Sequence, residues 1–239
     1  MTAPSLQPVA IFHSPFSTKF GIPRQSGIVE EVEGTIVLEP PFRHAEALRG
    51  LEGFDYIWLI WGFSANTSTT RSQQPALTVR PPLLGGNTRM GVFATRSPFR
   101  PNGLGLSSVR ISSIDWEAPG GPVIHVLGAD LMDGTPIYDF KPYLGYADSH
   151  PQARSGFTDQ QEWKKLKVVF ADDTDRQLPE KEKNTLVHIL ELDPRPHYQD
   201  DSQRIYGLSF AAYEIHFKVD NDTLTIVKIG NKKRKIAKS

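Results

Sequence analysis

Short apolar runs separated by Gly and Pro dominate the first 150 residues of the chain. Such runs, bounded by turn residues, are typical of β-strands. Phe54–Phe63 is so continuously apolar that we expect a strand buried on both faces, and His44–Leu51 has helical spacing that ends at Gly53. The other predicted strands are Val9–Phe12, Gly34–Leu38, Leu77–Arg80, Met90–Thr95, Leu104–Ile114 and Val123–Leu127.

Many short strands at close spacing indicate a barrel or a tightly curved sheet. No long alternation of strands and helices is present, so a doubly wound nucleotide-binding fold is not expected. The pattern changes near residue 150. Helical spacing follows in Gln160–Phe170 and Pro179–Leu192, and Leu208–Val219 and Thr223–Ile229 resemble a hairpin closed at Asp220–Asp222. We therefore predict a mainly β, α+β chain with one domain at 1–150 and a small α+β domain at 151–239.

Composition narrows the classes of function only slightly. Lys and Arg number 27, as do Asp and Glu, so only a local patch could attract nucleic acid. The absence of Cys excludes disulfides and thiol chemistry, and the His residues lack metal-ligand spacing with one another, so no metal site is predicted. No apolar run approaches the roughly 20 residues that span a bilayer, and Met1–Gln7 does not resemble a signal peptide. We expect a cytoplasmic protein.

The segment Met90–Gly105 is the richest in candidate chemistry. It runs from a predicted strand into a loop in which Pro98 and Pro101 restrain two arginines, Arg96 and Arg100, beside Asn102. Arginine suits a carboxylate or a phosphate through paired hydrogen bonds. The same pattern is also typical of a rigid surface turn with solvated arginines.

The segment Asp130–Tyr143 is the second candidate. Asp133-Gly134-Thr135-Pro136 is a turn signature, and the alternation after it groups Tyr138, Asp139, Lys141 and Tyr143. A carboxylate, two phenols and an amine can bind a base or move a proton. A simple turn followed by an edge strand fits the same residues.

Three further segments carry weaker signals. Pro23-Arg24-Gln25 could wrap a ligand, although such turns are common. Asp193–Tyr198 is a stiff Pro-rich run whose Arg195 and Tyr198 suit contact with RNA, although it could equally be a linker that ends a helix. The basic tail Lys232–Lys235 could add attraction to RNA or be a solvated end. Generic nucleotide, hydrolase and amino-group methyltransferase motifs are missing from the sequence.

Six of these segments together resemble the TsaA/TrmO family of tRNA methyltransferases in order and spacing, over nearly the whole chain. They are Pro23–Gln25, Phe54–Trp58, Arg80–Pro82, Met90–Asn102, Asp133–Tyr143 and Asp193–Pro196. The resemblance implies an antiparallel β-barrel that binds S-adenosylmethionine (SAM) and works as a homodimer. It implies methylation of N6 of N6-threonylcarbamoyladenosine at position 37, in the anticodon loop of threonine tRNA.

The resemblance also implies a set of cofactor contacts. Family members often carry a His after the Phe that closes the central strand, whereas Ser64 follows Phe63 here. Contacts from that loop are therefore expected from the backbone. The expected cofactor residues are Pro23, Arg24, Gln25, Ser64, Ala65, Arg96, Leu127, Asp133, Gly134, Thr135 and Pro136.

A mechanism follows as a hypothesis. Asp139 is the candidate proton acceptor, with Tyr138 or Tyr143 as alternatives. Arg96 or Arg24 would hold the methionyl carboxylate of SAM. The candidates for RNA phosphate or for the modified base are Arg100, Asn102, Lys141, Arg195 and Tyr198. Two other functions fit the same sequence: a SAM-dependent methyltransferase with another acceptor, and a non-catalytic module that binds SAM or RNA.

Overall fold

The computed structural model describes residues 6–64, 77–160, 164–172, 174–195 and 201–232. The strands are β1 Ala10–His13, β2 Glu33–Leu38, β3 Tyr56–Gly62, β4 Thr78–Val79, β5 Met90–Gly91, β6 Leu104–Asp115, β7 Val123–Leu127, β8 Thr135–Pro142, β9 Lys167–Phe170, β10 Tyr206–Phe210, β11 Tyr213–Asp220 and β12 Thr223–Asn231. The α-helices are α1 Ala45–Leu48, α2 Gly145–Asp148 and α3 Glu180–Glu191. Short 3-10 helices lie at Pro40–Phe42, Leu51–Gly53, Pro82–Leu84, Val92–Ala94, Gly156–Gln160 and Thr174–Gln177.

Six strands form a closed barrel in the order β1-β2-β7-β6-β3-β8, and every neighbouring pair is antiparallel. The pairing of β8 with β1 closes the ring, so none of these strands has an unpaired edge. The interior is filled by alternate side chains, including Phe12, Ile36, Leu59 and Ile124, each fully buried. The predicted mainly β fold with a barrel is confirmed.

The central strand β3 departs from the expectation that both of its faces are buried. Ile57 and Leu59 are fully buried, but Tyr56 is 42% exposed and Trp58 and Ile60 are only partly covered. Successive side chains of a strand point to opposite faces, and only one face of a barrel strand lies inside. The prediction was wrong because the outward positions of this strand are also apolar.

A second sheet has the order β10-β11-β12-β9, with β12 and β9 parallel. It packs with α3 around a core that includes Leu186, Leu190, Phe217 and Ile226. The predicted helix at Pro179–Leu192 is present as α3, and the turn at Asp220–Asp222 lies between β11 and β12.

Three local predictions were wrong. The end of Gln160–Phe170 is strand β9 rather than helix, since its β-branched Val168 and Val169 pair with β12. The run from Leu208 to Val219 is two strands, β10 and β11, separated by a turn in which Ala211 has a φ of 51°. Met90–Thr95 is a two-residue strand followed by a 3-10 helix. The polar run Asn66–Gln74, which the sequence predicts to be a loop, lies outside the described residues.

The segment between β1 and β2, residues 14–32, joins the two sheets. Its Phe16, Val29 and Val32 are buried in the core of the second sheet, and the backbone N–H of Ala211 donates to the carbonyl of Pro15 at 2.8 Å. This segment carries Pro23–Gln25, so the second sheet supports one of the predicted cofactor loops. Among the described residues, no helix is both long and apolar enough to cross a membrane.

Candidate functional site at the mouth of the barrel

Most of the predicted cofactor residues lie at one end of the barrel. β1, β3 and β7 finish at this end, and β2, β6 and β8 begin there, because neighbouring strands are antiparallel. We call this end the barrel mouth; it comprises residues 14–32, 63–64, 95–103 and 127–136. Segments that are more than 100 residues apart in the sequence therefore meet in space.

The loop with Pro23–Gln25 is fixed on both sides. The backbone N–H of Gly27 donates to the carbonyl of Gly128 at 2.8 Å, just beyond Leu127 at the end of β7. On the other side, Nη1 of Arg96 donates to Oε1 of Gln25. Two of the predicted cofactor segments are thus in direct contact through their side chains.

The turn at Asp133–Pro136 is built largely from backbone hydrogen bonds. The N–H groups of Asp133 and Gly134 donate to the carbonyls of Phe16 and Phe12 at 2.8 and 2.9 Å. The hydroxyl of Thr135, itself only 1% exposed, donates to the carbonyl of Met132 at 2.7 Å. The Asp133 carboxylate lies 3.0 Å from Nδ1 of His13 and remains about half exposed. The turn therefore presents an accessible carboxylate at the mouth.

A second carboxylate, Asp130, lies behind this turn. Its Oδ1 accepts a hydrogen bond from the hydroxyl of Ser107 at 2.6 Å, and Nε1 of Trp61 donates to that same hydroxyl oxygen at 3.0 Å. Gly105 makes room for the indole, because a Cβ there would lie 2.3 Å from the ring of Trp61. Burial raises the pKa of Asp130, and the Ser107 hydroxyl and the charge of Arg96 partly offset this effect.

Arg24 and Arg195 both bind Asp193, in the segment that follows α3. Nη2 of Arg24 donates to the carbonyl of Asp193 at 3.2 Å, and burial lowers the pKa of Arg24, while the charge of Asp193 opposes this shift. Arg195 forms two hydrogen bonds of 2.9 Å with the Asp193 carboxylate and is only 11% exposed. Both guanidinium groups are therefore engaged by Asp193, just after the end of α3.

The loop after β5 keeps Arg96 exposed but uses Arg100 internally. Nη1 of Arg100 donates to the carbonyl of Thr95 at 2.8 Å, which braces the loop, whereas Asn102 is exposed. Ser64 is exposed beside Phe63, whose N–H donates to the carbonyl of Gly103 at 2.9 Å. Ala65 and Tyr198 lie outside the described residues.

The candidate catalytic side chains lie on a different surface, which we call the outer wall: the outward-facing residues of β3, β6 and β8. Asp139 is paired with Ile60 and Lys141 with Trp58 in the strand register, and both are exposed. The Tyr143 ring packs 5.7 Å from that of Trp58. A register shift in β8 at Tyr138 brings its ring over Gly62, where a Cβ would lie 2.8 Å away. Of this group, Tyr138 therefore lies beside the last residue of β3, where the mouth begins.

Sequence reasoning did not assign roles to Asp130, Ser107, Trp61 or His13. Asp130 follows directly after Gly128-Ala129 at the end of a strand, which is the signal that could have drawn attention to it. Ser107 and Trp61 gave no signal, since each is one residue of a longer strand pattern. Within the ranges the structure describes, no group of His, Asp or Glu is arranged to hold a metal ion.

A closed antiparallel barrel with carboxylates, arginines and backbone amides at one mouth defines a ligand-binding barrel that differs from the doubly wound nucleotide folds. Residues 11–149 match the tRNA-methyltransferase O N-terminal domain, and residues 163–232 match the TrmO C-terminal domain. The chain belongs to the tRNA-methyltransferase O family.

Individual relatives agree with this assignment. A tRNA (adenine(37)-N6)-methyltransferase of Escherichia coli (strain K12) is 36% identical over 228 residues, covering 92% of this chain and 94% of that protein. A protein of Pseudomonas aeruginosa named "Putative S-adenosylmethionine-dependent methyltransferase RcsF" is 37% identical, covering 89% of this chain and 91% of that protein. A crystal structure of TrmO from P. aeruginosa is similar with a TM-score of 0.76 and 31% identity, covering 97% of this chain and 99% of that one.

Proposed function

We propose that this protein is a SAM-dependent tRNA methyltransferase that methylates N6 of adenosine 37. One observation carries the proposal: residues expected to contact SAM, from segments far apart in the sequence, converge at the barrel mouth. The names of the relatives, which describe tRNA (adenine(37)-N6) methylation and dependence on SAM, support the same activity.

The groups at the mouth fit the chemistry of SAM. Arg96 is an exposed cation suited to the methionyl carboxylate, and its bond to Gln25 holds it in position. Asp133 offers a carboxylate for the ammonium or for ribose hydroxyls. Arg24 is better suited to bracing its loop, since its guanidinium points to Asp193. We therefore propose that Arg96, rather than Arg24, binds the methionyl carboxylate of SAM.

The remaining cofactor contacts would come from the backbone. Pro23 is buried, the Thr135 hydroxyl is used within its own turn, and Gly134 has no side chain. Main-chain groups of these residues, of Pro136, of Leu127 and of Ser64 border the same mouth. Such groups are fixed before a ligand arrives, so little order has to be gained on binding.

When bound, SAM supplies an electrophilic methyl group on a sulfonium, which needs alignment with its nucleophile more than activation. The chain must then exclude water and accept the proton that leaves N6. We propose that the exposed carboxylate of Asp139 accepts this proton, because its strand partner Ile60 lies only two residues before the mouth end of β3. The Tyr138 hydroxyl is the alternative, because the Tyr138 ring lies over Gly62, the last residue of β3. Tyr143 packs against Trp58 and fits the role less well.

We propose N6-threonylcarbamoyladenosine of threonine tRNA as the acceptor. Its threonyl carboxylate would pair with a cation, and an unmodified adenosine would leave that cation unpaired. Lys141 and Asn102 are exposed and available for this carboxylate or for phosphates, whereas Arg195 and Arg100 already bind groups of the protein itself. Because its substrate is tRNA, we expect the enzyme to act in the cytoplasm.

We further propose that the enzyme is a homodimer that assembles through the outer wall. Tyr56 is 42% exposed on β3, and Leu106, which is 59% exposed on β6, is paired directly with Ile60 of β3. Contiguous exposed apolar side chains of this kind mark interaction surfaces. The proposal brings the candidate catalytic residues of the outer wall close to a second copy of the chain.

The deciding experiment incubates the purified protein with SAM labelled in its methyl group and with threonine tRNA, before and after threonylcarbamoylation. We expect label in nucleoside 37 of the modified tRNA and none in a control tRNA with guanosine at that position. Equal labelling of both forms of the tRNA would indicate a less selective acceptor. Binding of SAM without any transfer would contradict the enzyme and support a binding module.

A further inference from the structure

We propose that Asp130 is a positioning residue of the cofactor site, which holds Arg96 and the loop at Gln25–Gly27 in the arrangement that receives SAM. The inference rests on the proposed function and concerns a residue outside the expected contacts. Asp130 lies at the mouth between the end of β7, where Gly128 accepts from Gly27, and the turn at Asp133, whose N–H donates to Phe16.

A chain of hydrogen bonds fixes the Asp130 carboxylate from behind. The Trp61 indole donates to the Ser107 hydroxyl at 3.0 Å, and that hydroxyl donates to Oδ1 of Asp130 at 2.6 Å. Ser107 is 1% exposed and Trp61 is 7% exposed, so both donors are largely shielded from solvent. The orientation of the carboxylate is therefore set by the barrel itself.

Asp130 lies close to the cofactor loops in the chain, because the carbonyl of Gly128, two residues before it, accepts the hydrogen bond of the Gly27 N–H at 2.8 Å. The positive charge of Arg96 and the backbone N–H of Ser26 both favour the ionised form of Asp130 and so hold down its pKa. Arg96 in turn donates to Gln25, whose neighbour is Ser26. Asp130 is thus close to both segments that are expected to bind SAM.

The protein tolerates this carboxylate at a cost. Burial raises the pKa of Asp130 above its value in the unfolded chain. At pH values above this raised pKa, the ionised carboxylate therefore lowers the stability of the folded protein. The Trp61–Ser107 pair holds this carboxylate at the barrel mouth. Carboxylates with perturbed pKa values that are held by specific hydrogen bonds are candidates for functional sites.

The chain contains a matched control. Asp148 is also linked to a tryptophan of β3, but directly: Nε1 of Trp58 donates to its Oδ2 at 3.0 Å, on the outer side of the barrel. Its pKa is lowered, mainly by a hydrogen bond from the backbone of Leu144. Asp148→Asn therefore removes a carboxylate that is also hydrogen-bonded to the barrel but lies far from the mouth and Arg96.

The test measures SAM affinity by calorimetry for the wild type, Asp130→Asn, Ser107→Ala, Arg96→Ala, the double variant of Asp130 and Arg96, and Asp148→Asn. We expect Asp130→Asn to raise Kd about tenfold and Ser107→Ala about threefold, in line with hydrogen bonds to charged groups. Because Asp130 acts partly through Arg96 and partly through the loop at Gln25–Gly27, its substitution should cost less affinity in the Arg96→Ala background than in the wild type. Asp148→Asn should stay within about twofold of the wild type.

Two further measurements separate positioning from a merely structural role. The melting temperature of Asp130→Asn should lie within about 3 °C of the wild type, because the neutral amide removes the cost of a buried charge. S-adenosylhomocysteine, which lacks the sulfonium charge, should lose as much affinity as SAM. A loss confined to SAM would mean direct attraction of the sulfonium and would overturn the positioning role.

Unchanged SAM affinity in Asp130→Asn, or a loss that adds fully to that of Arg96→Ala, would also overturn it. If Asp130→Asn does not fold, Ser107→Ala becomes the deciding variant, and unchanged affinity there contradicts the proposal. A wild-type protein that binds SAM but transfers no methyl group would contradict the proposed function while leaving the effect of Asp130 on SAM affinity measurable. A wild-type protein that does not bind SAM would contradict both.

Discussion

The barrel mouth and the outer wall are made from the same strands but organise their polar groups differently. At the mouth, polar groups are tied to the protein: Gln25 to Arg96, Asp130 to Ser107, and Gly27 to Gly128. On the outer wall, Asp139 and Lys141 are exposed among apolar side chains. Cofactor sites depend on groups that are fixed before the ligand arrives. A group that accepts a proton must instead be accessible to the nucleoside of a tRNA that binds from solution. The contrast suggests that the mouth determines affinity and the wall determines turnover.

The strongest test of this contrast is Asp139→Asn. We expect methyl transfer at saturating SAM to fall about 1000-fold, the middle of the range for loss of a general base, while SAM affinity is unchanged. Single-turnover transfer to modified tRNA measures the first quantity and calorimetry the second. Asp115→Asn is the control, because Asp115 is also exposed, also accepts a local backbone hydrogen bond, and lies at the other end of β6. Normal turnover in Asp139→Asn would shift the role to Tyr138, which Tyr138→Phe would then test.

Leu106→Asp tests whether the outer wall is covered by a second copy of the chain. A carboxylate buried in an apolar interface costs several kcal/mol, so we expect the dimer dissociation constant to rise about 100-fold. Light scattering after size-exclusion chromatography over a range of concentrations measures this change. Leu77→Asp is the control, since Leu77 is even more exposed, at 74%, but does not lie on the wall. If both variants keep the mass of the wild type, the proposed interface is wrong.

The smallest effect is expected at the rim of the mouth, from His13→Ala. The pair of His13 and Asp133 is about half exposed on both sides, and such pairs contribute little to stability or orientation. We expect Kd for SAM to change about twofold, within the range of exposed ion pairs. His125→Ala on β7 is the control for removal of an imidazole from the barrel. A loss of SAM affinity of tenfold or more would show that His13 belongs to the cofactor site and contradict its assignment to the rim.

Predictions from sequence were most reliable where a local pattern decides the structure. Val123–Leu127 was predicted with its observed bounds, and helix α3 and the turn at Asp220–Asp222 were found from spacing, Pro and Asn. They were least reliable at β9, where four residues with ambiguous spacing become a strand because β12 offers them a parallel partner. Strand pairing of this kind is a contact between distant residues, which local spacing does not record.

The sequence alone determined the family, most of the strands of the barrel, and the segments that carry arginines and carboxylates. Only the tertiary structure decided which of these groups are free to act: it commits Arg24 and Arg195 to Asp193, leaves Arg96 exposed beside Gln25, and brings Asp130 behind it. The physical reason is that the chemistry of a side chain follows from its residue type alone. The burial of that side chain and its hydrogen-bond partners depend on the closing of the barrel and on the second sheet that packs against its loops.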